Sequence, residues 1–245
     1  MKTASTGIKM LDEALAGGLQ TGFTILVCGQ PGAGMDLFAK QFASGGVGQE
    51  DVVYFTTNER NEDIISTMEQ FGWKKDINIV NLGSVYYENV LAGELEVSKF
   101  RREGIRLRDI KKLKEVRRGG TNLLTILTYE VSKLKPPFRV IIDSLDFFFE
   151  YYEPSNVLSA IRTIKAHTQR SESVALLTML TGIRQRNIES GIEEIMDCIV
   201  ELERERAKNA FHKQMVIRKY RNHPERTGIY PYELSKSGMA PRHVG

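Results

Sequence analysis

The residues best placed to do chemistry lie in GQPGAGMDLF, Gly29 to Phe38. Gly-x-x-x-x-Gly running into a helix is the outline of a loop that cradles phosphate with backbone N–H groups and a helix N-terminus. A working loop of this kind continues with Lys, which brings positive charge to the β- and γ-phosphates, and then Ser or Thr, which binds Mg²⁺. Here those two places hold Met35 and Asp36. Gly29, Gln30, Pro31, Gly32, Ala33 and Gly34 keep the backbone half of the site, and Met35 and Asp36 make it degenerate. Met35 carries no charge, and Asp36 sets an anion where an anionic ligand would sit. Two unit charges about 4 Å apart are worth up to about 4 kcal/mol at an effective dielectric near 20. Asp36 has two readings. In one, its carboxylate satisfies the first turn of the helix itself, and the loop is empty or binds weakly. In the other it ligates Mg²⁺ directly and a metal–nucleotide is retained. The first is preferred, so no cofactor and no metal site are expected, with ATP or ADP and Mg²⁺ as the alternative.

The loop needs a strand before it and a helix after it, and the pattern supplies both. Phe23–Cys28 is a short apolar run, read as a buried strand, and Asp36–Ala43 as a helix. Further buried strands are expected at Asp51–Thr57, Ile77–Leu82, Arg139–Asp143 and Val174–Leu180, and late strands at Cys198–Glu205 and His212–Tyr220. Helices are expected at Gly7–Leu15, Asn61–Phe71, Leu123–Leu134, Asn156–Arg170 and Ile192–Cys198. Strands alternating with helices predict an α/β fold, a mostly parallel central sheet flanked by helices.

With these pieces in place, the chain resembles the KaiC-like branch of the RecA superfamily of ATPases. The resemblance rests on STGIKMLDEALAGGLQTG, FTILVCGQPGAG, VVYFTTNERNEDII, RVIIDSL, SVALLTML, GIEEIMDCIVELE and MVIRKYR, which cover most of residues 5–222 in order. It implies a RecA-like P-loop NTPase core over 1–245 as a single domain, and a nucleotide held between subunits of a ring or filament. It also implies roles for single residues. Asp143 falls on the carboxylate of the second nucleotide motif. Asn58 and Glu59 fall on an acidic pair whose first member activates the attacking water. Lys219 and Arg221 fall on a Lys-x-Arg that reaches a neighbour's γ-phosphate across the interface. Asn58 is an amide and cannot accept that proton. Met35, Asp36 and Asn58 therefore remove phosphate charge, metal ligation and general base in turn, which leaves Asn58, Glu59 and Asp143 vestigial and no catalytic residue expected.

The resemblance is poorest over residues 86–120, expected to be a basic, helical insertion or arm. Lys99 to Arg118 carries ten basic residues against three acidic ones, in a chain whose net charge is only +3. Arg101, Arg102, Lys111, Lys112 and Lys114 are the candidates for binding a polyanion, nucleic acid included. The competing reading is a solvated arm whose Ile105, Ile110, Leu113 and Val116 pack on the body. DFFFEYYEP puts five aromatics in six positions, and helical spacing pairs Phe147 with Tyr151 and Phe148 with Tyr152. One helix face cannot bury them all, so part of this cluster is a candidate partner contact. Thr181–Gly191 is read as a polar connector, with a mobile, polymer-facing loop as the rival.

Composition bounds the rest. Met1–Leu11 lacks a secretory leader and no apolar run approaches the roughly 20 residues of a membrane span, so a cytoplasmic protein is expected. Cys28 and Cys198 are read as reduced core residues, and the four histidines show no ligand spacing. The function expected is that of a catalytically inactive regulatory or assembly protein working through macromolecular binding, as a homo-oligomer, as a hetero-oligomer with another RecA-like protein, or with a protein or peptide partner. The alternatives are an ATP-binding or slow ATPase regulator with Asp36 as metal ligand, and a DNA-repair accessory of recombinase-paralogue type.

Overall fold

The structure is a computed structural model and describes residues 2–89, 95, 122–207 and 210–242. The basic candidates Arg101, Arg102, Lys111, Lys112 and Lys114, and residues 96–120 of the expected arm, lie outside them. Strand β3 (Thr24–Gly29) is mostly apolar and buried along its whole length, as expected of a strand covered on both faces. It pairs in parallel with β7 (Val174–Leu180) on one side and β8 (Cys198–Ala207) on the other. Beyond β7 follow β6 (Phe138–Asp143), β4 (Asp51–Thr56) and β5 (Asn78–Asn81), all parallel. Beyond β8 the sheet turns antiparallel through β9 (Ala210–Tyr220), β10 (Gly228–Ser235) and β11 (Gly238–Pro241), giving nine strands with β3 in the middle. A separate two-stranded ribbon joins β1 (Thr3–Ala4) and β2 (Leu19–Gln20).

Alternation along the strands sorts the core into two layers. Ile25, Val27, Tyr54, Ile141 and Leu176 face α1 (Lys9–Ala14), α2 (Met35–Gly46) and α3 (Asn61–Gln70). Leu26, Cys28, Phe55, Ile142 and Leu177 face α4 (Leu123–Ser132), α5 (Leu145–Tyr151), α6 (Pro154–Arg170) and α7 (Arg186–Ile195). Residues 82–89 form a further helical stretch.

Every expected strand is present. The expected short helix at Ile192–Cys198 is displaced: α7 begins at Arg186 and ends at Ile195. The second half of the expected connector Thr181–Gly191 is thus helical, with Ile188, Ile192 and Ile195 at i, i+4 and i+7 against the core. β10 and β11 were not expected. Pro231 sits inside β10, a residue that argues against a strand interior because it lacks a ladder N–H.

Cys28 and Cys198 are both free and buried. Burial, helped by Glu201, pushes the Cys28 thiol up to about 12, and burial beside Asp197 raises that of Cys198 further. Since the thiolate is the reactive form, the folded protein should resist alkylation at both sites at mildly alkaline pH and take up two labels per chain in urea. Rapid labelling of native protein, read by intact mass, would contradict this burial.

Candidate functional site: a phosphate-type loop closed by its own side chains

The loop follows β3 at the carboxyl end of the sheet, where open α/β sheets place their ligands. Gly32 and Gly34 hold φ of 78° and 99°, left-handed values that only glycine adopts freely, and Gly34 is the N-cap of α2. The backbone cradle expected from Gly29 to Gly34 is therefore formed. Two unexpected elements brace it: the Tyr232 hydroxyl on β10 donates to the Ala33 carbonyl at 2.9 Å, and Met239 on β11 lies against Gly34. Met35 packs on the apolar layer of α1 to α3. Asp36 is half-exposed in the first turn of α2.

A cation does enter this site, from a position the sequence reading passed over. Lys40 follows Asp36 by one turn of α2, and its side chain is only 1% exposed. Its Nζ donates to Glu59 Oε1 at 2.8 Å and stands 3.9 Å from Asp36 Oδ2. Glu59 lies in the turn after β4, its backbone N–H donating to Thr56 Oγ1. Asn58 beside it is exposed.

Asp143, at the end of β6, is held by two hydroxyls: Tyr54 donates to Oδ2 at 2.7 Å and Thr178 to Oδ1 at 2.6 Å. Tyr54 is wholly buried, and burial first, then the Asp143 carboxylate, holds its phenol well above the usual range; Glu59 and Asp36 add to the effect. The phenol is thus a fixed donor. Above the loop, the Arg204 guanidinium of β8 rests 4.4 Å from the Phe211 ring of β9. A Cβ placed on Gly32 would lie 3.2 Å from its Nη1. Sequence reasoning missed Lys40, Tyr54, Thr178 and Arg204. Polar residues inside otherwise apolar strands were the available signal for Tyr54 and Thr178.

Lys219 lies near the end of β9 and Arg221 in the turn just beyond it; both line one pocket, at the opposite end of β3 from the loop. Lys219 Nζ donates to the Glu193 and Glu194 carbonyls at 2.8 and 3.2 Å, near the C-terminal end of α7. Arg221 pairs with Asp197 at 3.0 Å. Asp197 is fully buried, accepts from the Thr24 N–H at 3.0 Å and pairs with Lys165 at 2.7 Å. These groups, with Arg162, line an open pocket of about 400 Å³. Within the chain, both cations have partners.

The aromatic cluster divides as expected. Phe147–Tyr151 and Phe148–Tyr152 centroids are 4.8 and 6.4 Å apart; Phe148 is buried and Tyr151 exposed. Tyr152 has a local task, its hydroxyl accepting the Leu123 N–H at the start of α4. Tyr86 packs edge-on against Phe147. Arg184, from the 181–185 turn, pairs with Asp146 and lies over Phe149.

The model of the family described as "ATPase: KaiC" matches residues 4–240. The chain belongs to this family. Its fold is correspondingly that of the RecA-like superfamily. Among KaiC relatives, circadian clock protein KaiC2 of Synechocystis is 25% identical over 241 residues, covering 96% of this chain but 39% of that protein. The chain therefore spans about two fifths of the KaiC proteins it matches. A UPF0273 protein of Thermotoga maritima is 24% identical over 242 residues, with 98% and 95% covered. The crystal structure of a KaiC-like protein from Pyrococcus horikoshii superposes with a TM-score of 0.65 at 20% identity, covering 99% of each chain. None of the described helices is long and apolar enough to cross a membrane.

Proposed function

We propose that this KaiC-family domain is a non-hydrolysing assembly or regulatory component, whose phosphate-type loop is kept in shape by its own side chains. The observation that carries this reading is the Lys40–Glu59 ion pair. It engages the carboxylate beside the expected base position with an internal cation. Met35 packs into the core, Asp143 has both oxygens taken by hydroxyls, and Arg204 lies across Gly32. Together they fill the surroundings of the loop with contacts made by the chain's own side chains. What remains for the domain to do is bind macromolecules, and the cationic pocket of Lys165, Lys219 and Arg221 and the exposed Tyr151 edge are the surfaces available for that.

Titrating the unmodified protein with Mg²⁺-ATP tests the reading. The expected result is no saturation in the micromolar range, with a dissociation constant of about 1 mM or weaker. Hydrolysis above background that disappears in Asp143→Ala, or micromolar binding, would replace this reading with that of an ATP-dependent regulator.

A further inference from the structure

The fold family implies a divalent cation at the loop, bridging the loop helix and the strand-end acids through the phosphates. The residues present do not fit one. Asp143 is already engaged by Tyr54 and Thr178, one hydroxyl on each oxygen. Among the described residues no group of three His, Cys, Asp or Glu side chains is arranged to hold a metal. Between Asp36 on α2 and Glu59 after β4 there is instead an ammonium. Lys40 is the only lysine among the described residues whose side chain is that fully buried. A lysine leaves water only where partners compensate its desolvation. Its partners are the carboxylate in the place of the metal-binding hydroxyl and the carboxylate of the acidic pair, drawn from two elements.

We propose that the Lys40 ammonium is the resident cation of this site, doing permanently what a divalent ion does in a metal-dependent loop: it is the counter-charge that docks the loop helix on the end of β4. The site is then complete without metal, and its geometry does not depend on one. The inference rests on the non-hydrolysing reading above, but is tested without nucleotide, so each can fail separately.

The test is urea unfolding and Mn²⁺ binding, the latter by electron paramagnetic resonance. Wild type should unfold at the same midpoint in EDTA and in millimolar Mg²⁺, and should show no micromolar Mn²⁺ site. Lys40→Met, which keeps the length and apolar stem but not the charge, should lower the folding equilibrium constant about a hundredfold. That is the low end for breaking a buried pair, since Glu59 keeps some solvent contact. Adding Glu59→Gln to Lys40→Met should restore about tenfold of that loss, because the nearer carboxylate is then neutral and the other, Asp36, is half-exposed to solvent. A micromolar Mn²⁺ site in wild type, a midpoint that climbs with Mg²⁺, or a neutral Lys40→Met would each overturn the proposal. Should Lys40→Met not fold, Glu59→Gln alone decides: about a tenfold loss, indifferent to metal, supports the counter-charge role, and no loss refutes it.

Discussion

Converting Met35→Lys together with Asp36→Thr should raise affinity for Mg²⁺-ATP about a thousandfold or more, while turnover stays near background. The pair of changes adds an attraction and removes a repulsion. With each worth up to about 4 kcal/mol at close range, a few kcal/mol of net gain is a conservative expectation, at about 1.4 kcal/mol per decade. The backbone cradle needs no repair, because Gly32 and Gly34 already hold the required left-handed conformation. Removing Asp36 leaves Lys40 its nearer partner, Glu59, so the helix keeps its anchor. On the reading proposed above, chemistry should stay blocked at Asn58, an exposed amide unable to take a proton from water. A triple variant that adds Asn58→Glu should then turn over about a hundredfold faster than the double, the usual size of a general-base contribution. Calorimetry gives the first number and single-turnover hydrolysis the second. A double variant as fast as the triple would show that position 58 is not the missing base.

The second large effect is on stability, and it lies at the C-terminal end of α2. Arg139 is completely buried in β6. Its guanidinium forks onto Glu50 at 2.6 and 3.1 Å, donates to the Ser5 carbonyl at 2.7 Å and to that of Phe42, and stacks 4.3 Å from the Phe42 ring. It joins the N-terminal segment, the end of the loop helix and the sheet. Space for it is made by Gly45 and Gly46: Cβ atoms there would come within 3.0 and 2.6 Å of the side chain. Arg139→Met should cost about 3–5 kcal/mol, because it strands a nearly buried carboxylate and two carbonyls. Arg139→Met with Glu50→Met should cost clearly less than Arg139→Met alone, since an apolar pair tolerates burial better than half an ion pair. Chemical denaturation measures both. A single variant within about 1 kcal/mol of wild type would mean that solvent reaches Glu50 and relieves it.

These two sites show what a linear pattern can and cannot carry. The parallel strands were legible because a strand covered on both faces must be mostly apolar, and β3, β4, β6 and β7 each carry a run of apolar residues. The departures at positions 35, 36 and 58 were legible because each place holds a different chemical group from the one the family resemblance implies there. Lys40 was not legible. Four residues after an aspartate on a helix, it reads as a surface pair, and only the return of β4 over α2 makes it a buried one. Gly45 and Gly46 read as a helix stop, whereas their missing side chains make the seat for Arg139, which lies more than ninety positions away. The shared pocket of Lys219 and Arg221 was not legible, since β9 ends between them, and the Arg221 partner Asp197 lies in an unremarkable MDC stretch whose meaning depends on the start of β3. Helix α7 carried its signal in Ile188, Ile192 and Ile195, masked by Gly191 and a run of acids.

That contact between Asp197 and Thr24 has a mechanical consequence. Asp197 grips the first residue of β3, and the loop begins at its last, five steps of about 3.3 Å away. The cationic pocket and the loop are the two ends of a single strut, clamped by four strands on either side. Such a strut cannot shorten or tilt without shearing its neighbours. The domain is accordingly a gauge block: whatever meets the pocket on one face and the loop on the other is held at one spacing, with or without a ligand to enforce it.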